Sequence, residues 1–435
     1  MPDLSPDLVA LIGFVTLFAL MLLRVPVGMA MGLVGVTGFG YLVGAEPALK
    51  MVGQTSMRIV TDYTFGVIPM FLLMGAIVSR SGMSRELFHA ANTFVGHRRG
   101  GLGIATIAAC AGFAAISGSS VATAATFSTV AYPEMRRFAY PQSFATGVIA
   151  AGGTLGAMFP PSIVLAVYGL ITQQDIGKLF IAGVLPGLLA VSMYMATIAI
   201  IGRVRPRFLP AAPRSSWRER LHAVREIWAP LTLFVFVIGG LYGGLFTPTE
   251  AGGMGAGGAF LISVARRRLS GPDMRESLLQ ATRTAAAVFT VLIGAILFGY
   301  FLTVTQVPQK VTEFITGMGM GRYGVLAVIM LMYLALGCLV DSMAMIILTV
   351  PIIFPVITSL GFDPVWFGII IVMTVELGLI HPPVGMNVFV IKTVVKDVSF
   401  STIFLGVIPF VLTDITRLVV LIAFPAIALW LPGRM

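Results

Sequence analysis

Charge and cysteine are scarce in this 435-residue chain. Asp, Glu, Lys and Arg make up only 11% of it against 57% hydrophobic residues, and the mean hydropathy is +0.98. So little polar surface excludes a soluble domain. The two cysteines, Cys110 and Cys338, both lie in apolar stretches. They read as small core residues rather than a disulfide or metal pair. Neither metal-ligand spacing nor a phosphate-binding loop occurs, which argues against ATPase activity, and no strand-like alternation suggests a membrane β-barrel. What remains is an integral membrane protein whose apolar runs of roughly 17 to 25 residues cross the hydrocarbon as helices.

The net charge of +10 does not point to nucleic acid, because the cations fall in short connections between apolar runs. Clusters at His97-Arg98-Arg99, Arg136-Arg137, Arg203 to Arg225, Arg266-Arg267-Arg268, and Lys392 with Lys396 fit loops held on the cytoplasmic side. The N-terminal residues show no basic region before the first apolar run and no small-residue cleavage signal after it, so that run is expected to be an uncleaved first span.

The most informative pattern is a long internal repeat. The run Gly152–Ser162, with Pro160-Pro161, returns about 222 residues later as Glu376–Asn387, with Pro382-Pro383. Pro26 with Pro248, Ser119-Ser120 with Asp341-Ser342, and Pro186 with Pro409 keep nearly the same offset. Four ordered pairs along most of the chain indicate duplication. A Pro pair inside a span breaks a helix by removing backbone donors and restricting the preceding residue. Breaks at matching places in two halves point to a transport site.

Charge and parity together give a topology. Spans near 8–23, 26–44 and 65–79 precede an apolar stretch, about 100–133, that is interrupted at Ser117–Ser120 and basic at both ends. Such a stretch enters and leaves on one side as a re-entrant hairpin. A broken helix near 142–172 and a span near 178–202 complete an odd number of crossings. The second half is therefore expected to be inverted: spans near 228–246, 249–265 and 284–304, a hairpin near 322–357, a broken helix near 365–393 and a span near 403–430, with both termini outside. The division is 1–202, a linker 203–227 and 228–435. The fold class is an all-α polytopic membrane protein of two inverted-topology repeats, each with a re-entrant hairpin and a Pro-Pro-broken helix.

Amphipathic stretches precede each hairpin, with Leu87, Phe88, Ala91 and Phe94 on one face of the first and Val307, Val311, Phe314, Ile315 and Met318 on one face of the second. They read as interfacial arms. The linker segment Trp217 to Trp228 sets tryptophans and aliphatics opposite Arg218 and Arg225 and is expected to lie flat on the membrane surface.

Irregular backbone at bilayer depth persists only where protein, water or an ion satisfies it. Ser117, Ser119, Ser120 and Thr154 offer hydroxyls in the first half; Ser342 and Asn387 offer side-chain oxygen in the second. Half-helix N-termini after the breaks favour an anionic cargo. Asp341, Glu376 and His381 are the ionisable residues nearest the second break, and charges there must face protein or water. They read as cation ligands, proton carriers or structural anchors. A membrane-embedded serine hydrolase using one of the hairpin serines with His381 and Asp341 is a remote rival, because these residues lie in separate halves and no nucleophile-elbow motif is present.

At Ser117–Thr123, Gly152–Gly156, Pro160–Ser162 and Glu376–Asn387 the chain resembles the large membrane subunit of the tripartite ATP-independent periplasmic (TRAP) transporters, and the likeness extends over essentially all of it. The resemblance implies sodium-driven import of an organic acid, commonly a dicarboxylate or sugar acid, into bacteria across the inner membrane by an elevator motion. It implies a soluble periplasmic binding protein and a separate small four-helix membrane subunit as partners, and no cofactor. It maps one sodium to Ser117, Ser120, Gly156, Phe159 and Pro161, and a second to Gly337, Gly378, His381 and Val384. Ser119, Thr154, Asp341, Ser342 and Asn387 are left as the candidate cargo contacts. The family more often has threonine where this chain has His381. Here a hydroxyl ligand is lost, the carbonyl alone serves, or coupling responds to pH. A stand-alone sodium- or proton-coupled carboxylate transporter without a soluble receptor is the nearer rival.

Overall fold

A computed structural model describes residues 4–317, 319–337, 340–383 and 385–434. All regular elements among them are helices. Before the linker come α1 (Pro6–Leu22), α2 (Val27–Val43), α3 (Ala45–Thr61), a 3-10 turn at Tyr63–Gly66, α4 (Val67–Arg80) and α5 (Met83–Val95). A hairpin of α6 (Gly101–Ser117) and α7 (Ser120–Arg137) follows, then a broken pair, α8 (Gln142–Met158) and α9 (Ile163–Thr172), and the long α10 (Ile176–Val204). The linker contains α11 (Trp217–Glu226). After it come α12 (Trp228–Tyr242), α13 (Pro248–Ala265), α14 (Gly271–Val304), α15 (Val307–Gly317), the hairpin α16 (Arg322–Gly337) and α17 (Ser342–Ser359), the broken pair α18 (Pro364–Gly378) and α19 (Met386–Val394), α20 (Phe400–Ala423) and the short α21 (Ala426–Leu429).

Local chemistry sets the helix starts. Pro26 precedes α2 and Pro248 opens α13, where a missing N–H costs nothing. Capping boxes, Ser216 with Glu219, Thr247 with Glu250 and Ser270 with Asp273, begin α11, α13 and α14 by satisfying free backbone amides.

Six helical segments are long and apolar enough to cross a membrane, seven if the bent pair α11 and α12 is counted, and α1, α2, α6, α16 and α18 are shorter apolar helices. Two features differ from the sequence reading. Residues 45–61 form a helix rather than a connection, burying Ala48, Met51, Thr55 and Ile59 as a stripe. The third span after the linker begins at Gly271 rather than near 284. The 34-residue α14 thus replaces, in one piece, what α3 and α4 do in two.

Packing follows the repeat. By position in the repeat, α2 corresponds to α13, α4 to α14, α7 to α17, α8 to α18, α9 to α19 and α10 to α20. The observed neighbours exchange accordingly: α2 packs on α14 as α13 packs on α4, α9 on α17 as α19 on α7, and α8 on α20 as α18 on α10. This pattern is what two copies related by a pseudo-twofold axis produce. Small residues allow the closest crossings: a Cβ on Gly294 would strike the carbonyl of Gly28, and one on Gly406 that of Ser143.

Connections sort into the two groups that charge parity assigned to opposite sides. In one, Arg266 forms a two-pronged pair with Glu86 at 2.6 and 2.9 Å, Arg80 meets Glu276 at 3.0 Å, and Asp397 accepts from Tyr132 and Gln142. In the other, Lys310 pairs with Asp7, Thr249 reaches Tyr63, and the Tyr168 hydroxyl donates to Pro364 at 2.7 Å. The arms form as α5 and α15, with Leu87, Phe88 and Ala91, and Val307, Val311 and Ile315, turned to the core; Met318 lies outside the described residues. On α11, Trp217, Leu221 and Val224 are exposed without protein cover, as a surface-lying helix requires.

Candidate functional site

The first hairpin turns on Gly118, whose φ of 60° suits glycine. Extended Ser119 then caps α7, its hydroxyl accepting from the Ala122 amide at 3.3 Å. In the first break, α8 stops before the cis pair Pro160-Pro161, and Ser162 caps α9 by accepting from the Leu165 amide at 3.1 Å. Tip and break are in backbone contact. A Cβ on Gly118 would strike the Pro161 carbonyl, and one on Gly156 would lie 2.5 Å from the carbonyl carbon and oxygen of Ser119 and 2.6 Å from the Ser120 nitrogen. Ser117, Ser120, Gly156 and Pro161 therefore meet at one place; the Phe159 ring packs over Gly187 of α10. The Ser117 hydroxyl lies 3.4 Å from that of Thr123.

The second break holds another cis pair, Pro382-Pro383. The loop closes through backbone bonds, His381 N–H to Leu377 carbonyl and Asn387 N–H to Leu379 carbonyl, each 3.0 Å. Gly337 and Gly378 abut: a Cβ on either would sit 3.0 Å from the other's Cα. The His381 ring lies against the Pro382 carbonyl, and Val384 is outside the described residues. Asp341 is exposed and caps α17, accepting from the Met343 amide at 3.0 Å; Ser342 is half-buried at the first position of that helix.

Asn387 joins the halves. It is fully buried, donates to the Ala150 carbonyl of α8 at 3.3 Å, and its amide lies beside Gly153, which also faces Ser120 and Ala124. The Ser120 hydroxyl and the Asn387 side-chain oxygen are among the buried side-chain atoms without a hydrogen-bond partner in the described residues, as are Glu376 Oε1 and Arg417 Nε and Nη1. Unsatisfied buried oxygen costs about 1–3 kcal/mol per group, so the Ser120 and Asn387 pair calls for a ligand, ion or water. The N-terminus of α7, starting at Ser120, and that of α19, starting at Met386, add partial positive charge.

Thr154 does not turn to this place. Its hydroxyl donates to Ala151 at 2.7 Å and meets that of Tyr194 at 3.2 Å. Tyr194 donates to Asp414, which pairs with Arg417, which reaches Glu376. Sequence reasoning singled out Glu376 but missed Tyr194, Asp414 and Arg417. Its available signal was an acid and a base three residues apart within an apolar span, where isolated charges are costly.

A crevice of about 1210 Å³ opens between α3 and α14 on one side and the end of α9 and the middle of α17 on the other, with Gln54, Arg58, Leu170, Tyr300, Ile347 and Pro351 on its walls.

The sequence model of the family described as "Tripartite ATP-independent periplasmic transporter, DctM component" matches residues 14–427. A C4-dicarboxylate TRAP transporter large permease protein of Pseudomonas aeruginosa is 40% identical over 85% of this chain and 86% of its own. That of Rhodobacter capsulatus is 35% identical over 98% and 99%. The crystal structure of the YdaH transporter from Alcanivorax borkumensis superposes with a TM-score of 0.61 at 14% identity, covering 88% and 90% of the two chains, which is a likeness of fold. The paired hairpins, paired Pro breaks and full-length relatives together make this chain a member of the DctM family of TRAP transporter permeases, a transport protein of the membrane and not an enzyme.

Proposed function

We propose that this chain is the large permease of a bacterial inner-membrane TRAP system that imports an organic acid by sodium symport. The observation that carries the reading is the buried, unpartnered Ser120 Oγ, set where the first hairpin tip meets the first broken helix. Sodium, a hard cation held by hydroxyl and carbonyl oxygen, occupies the set Ser117, Ser120, Gly156, Phe159 and Pro161. A second sodium takes Gly337, Gly378, His381 and Val384. A carboxylate cargo then sits against the ends of the half-helices, with Ser119 and Asn387 at hand.

Cargo arrives from a periplasmic binding protein, and a separate small membrane subunit completes the complex. This partnership follows from the family and from relatives named as large permeases. The hairpins and broken helices move as a unit against α2, α4, α13 and α14, a division supported by the crevice between α14 and α9/α17. Cation binding orders the hairpin tip and thereby raises affinity for the anion, a coupling that each ligand must return to the other.

Uptake into liposomes holding this chain and its small subunit tests the reading. Uptake should require both sodium and the cognate binding protein. Equal uptake with the binding protein omitted removes the tripartite assignment in favour of a stand-alone carrier, and equal uptake with choline in place of sodium removes the coupling ion.

A further inference from the structure

Between the two breaks lies a polar cluster sealed from solvent. Glu376, Arg417, Tyr194 and Thr154 are 0% exposed and Asp414 is 1% exposed. Arg417 Nη2 lies 3.0 Å from Asp414 Oδ1 and 3.4 Å from Glu376 Oε2, and its guanidinium rests 5.9 Å from the centre of the Tyr194 ring. The Tyr194 hydroxyl donates to the Asp414 carboxylate, with both oxygens at 2.7 Å, and meets the Thr154 hydroxyl at 3.2 Å. Four helices contribute: α8, α10, α18 and α20.

Stability does not explain such a cluster, since well-packed apolar residues commonly replace buried ion pairs at no loss. Its placement does. Glu376 stands two residues before Gly378, in the last turn of α18, and that turn supplies the Leu377 and Leu379 carbonyls that close the second break. Thr154 stands two residues before Gly156, where α8 receives the first hairpin tip. One chain of side chains thus ends beside each half of the ion site. Resting on the sodium reading above, we propose that Arg417 is a positioning residue for the second sodium set, and that Asp414 and Tyr194 extend the same hold to the first.

Arg417 is suited to this because its planar guanidinium, resting against the Tyr194 ring, carries Nη2 to a point between the two carboxylates, a placement that a lysine ammonium, without the planar face, holds less firmly. Without it, the last turn of α18 keeps its backbone bonds but loses the side-chain tie that sets its rotation relative to α20. Outer partners of this kind commonly govern metal affinity by about 10- to 100-fold.

The test is a sodium titration of binding-protein-dependent uptake in the reconstituted complex, comparing wild type with R417M, R417K, Y194F and the charge-free triple variant E376Q/D414N/R417M. The triple variant leaves no unpaired buried charge and is expected to assemble. Half-saturating sodium should rise on the order of tenfold in R417M and in the triple variant, with the maximal rate at saturating sodium little changed. R417K should recover part of the shift, and Y194F should show a smaller one. An assembled triple variant and an assembled Y194F that both give the wild-type sodium curve overturn the proposal. A wild type whose uptake ignores sodium overturns the symport reading on which it rests, so the two failures are distinguishable.

Discussion

Placing a methyl group at Gly156 tests whether the first hairpin tip builds an ion site. A Cβ there would stand 2.5 Å from the Ser119 carbonyl carbon and oxygen, about 1 Å inside ordinary carbon contact of roughly 3.5 Å. The obstacle is backbone, so rotamer changes cannot relieve it. Either the tip or α8 moves by a distance larger than the roughly 0.5 Å tolerance of a formed site. Overpacking of this kind costs about 1–3 kcal/mol. If the close-packed tip is the sodium-bound arrangement, the cost appears as a rise in half-saturating sodium of roughly 5- to 150-fold, at about 1.4 kcal/mol per factor of ten. Gly35→Ala is the matched control. Its Cβ would lie 2.6 Å from the Leu297 carbonyl carbon and the Phe298 nitrogen, an equal collision where α2 crosses α14. Sodium-dependent uptake and detergent-phase thermal unfolding of both variants form the assay. Gly35→Ala should lose stability with half-saturating sodium unchanged, whereas Gly156→Ala should shift sodium strongly. Equal sodium curves for the two assembled variants would refute the reasoning.

Further outcomes follow from the same geometry. Ser120→Ala removes a buried oxygen that has no protein partner and should raise half-saturating sodium on the order of tenfold with expression maintained; an unchanged titration takes Ser120 out of the ion set. Asn387→Asp is isosteric and places a carboxylate where an anionic cargo is proposed, so the KM for cargo should rise sharply, and a wild-type KM would clear Asn387 of that role. Glu86→Gln breaks the charge on a two-pronged pair whose side chains are only 13% and 17% exposed; a loss on the order of 1–2 kcal/mol should lower the unfolding midpoint without moving sodium dependence. Single cysteines placed near Asp7 and near Arg85 should react with impermeant reagent from opposite sides of the membrane. Labelling from the same side would undo the inverted arrangement.

Where sequence was legible, a tandem of residues forced a geometry that a single one did not. Pro133, Pro186, Pro351, Pro355 and Pro409 lie inside helices, whereas both breaks stand at the pairs Pro160-Pro161 and Pro382-Pro383. Gly118 between serines read as a tip, and it is the left-handed residue on which the hairpin turns. Helix α3 was missed because Gly44, Pro47, Lys50 and Arg58 look like a connection and the stretch is too polar overall to read as a span, although the stripe Ala48, Met51, Thr55 and Ile59 recurs at helical spacing and was there to be read. Thr154 was assigned to cargo by proximity in sequence to the break. It faces the other way because a helix rotates its side chains by about 100° per residue, a direction fixed only once Tyr194 is in place. Asp414 and Arg417 escaped because periodicity scores an apolar span by its average, and two opposite charges disappear within it. What could not be read was the pairing across halves, since no single segment carries the information that Asn387 ends beside Gly153.

The exchange of neighbours, α9 resting on α17 and α19 on α7, has a consequence for biogenesis. Neither portion on its own holds a complete interior, so the earlier-synthesised one must wait in the bilayer, its Pro-interrupted segment uncovered, until translation delivers the later one. Newly made protein is therefore vulnerable to quality control for most of its synthesis. Chains truncated after α10 should be degraded, and supplying the missing portion as a separate polypeptide should rescue them.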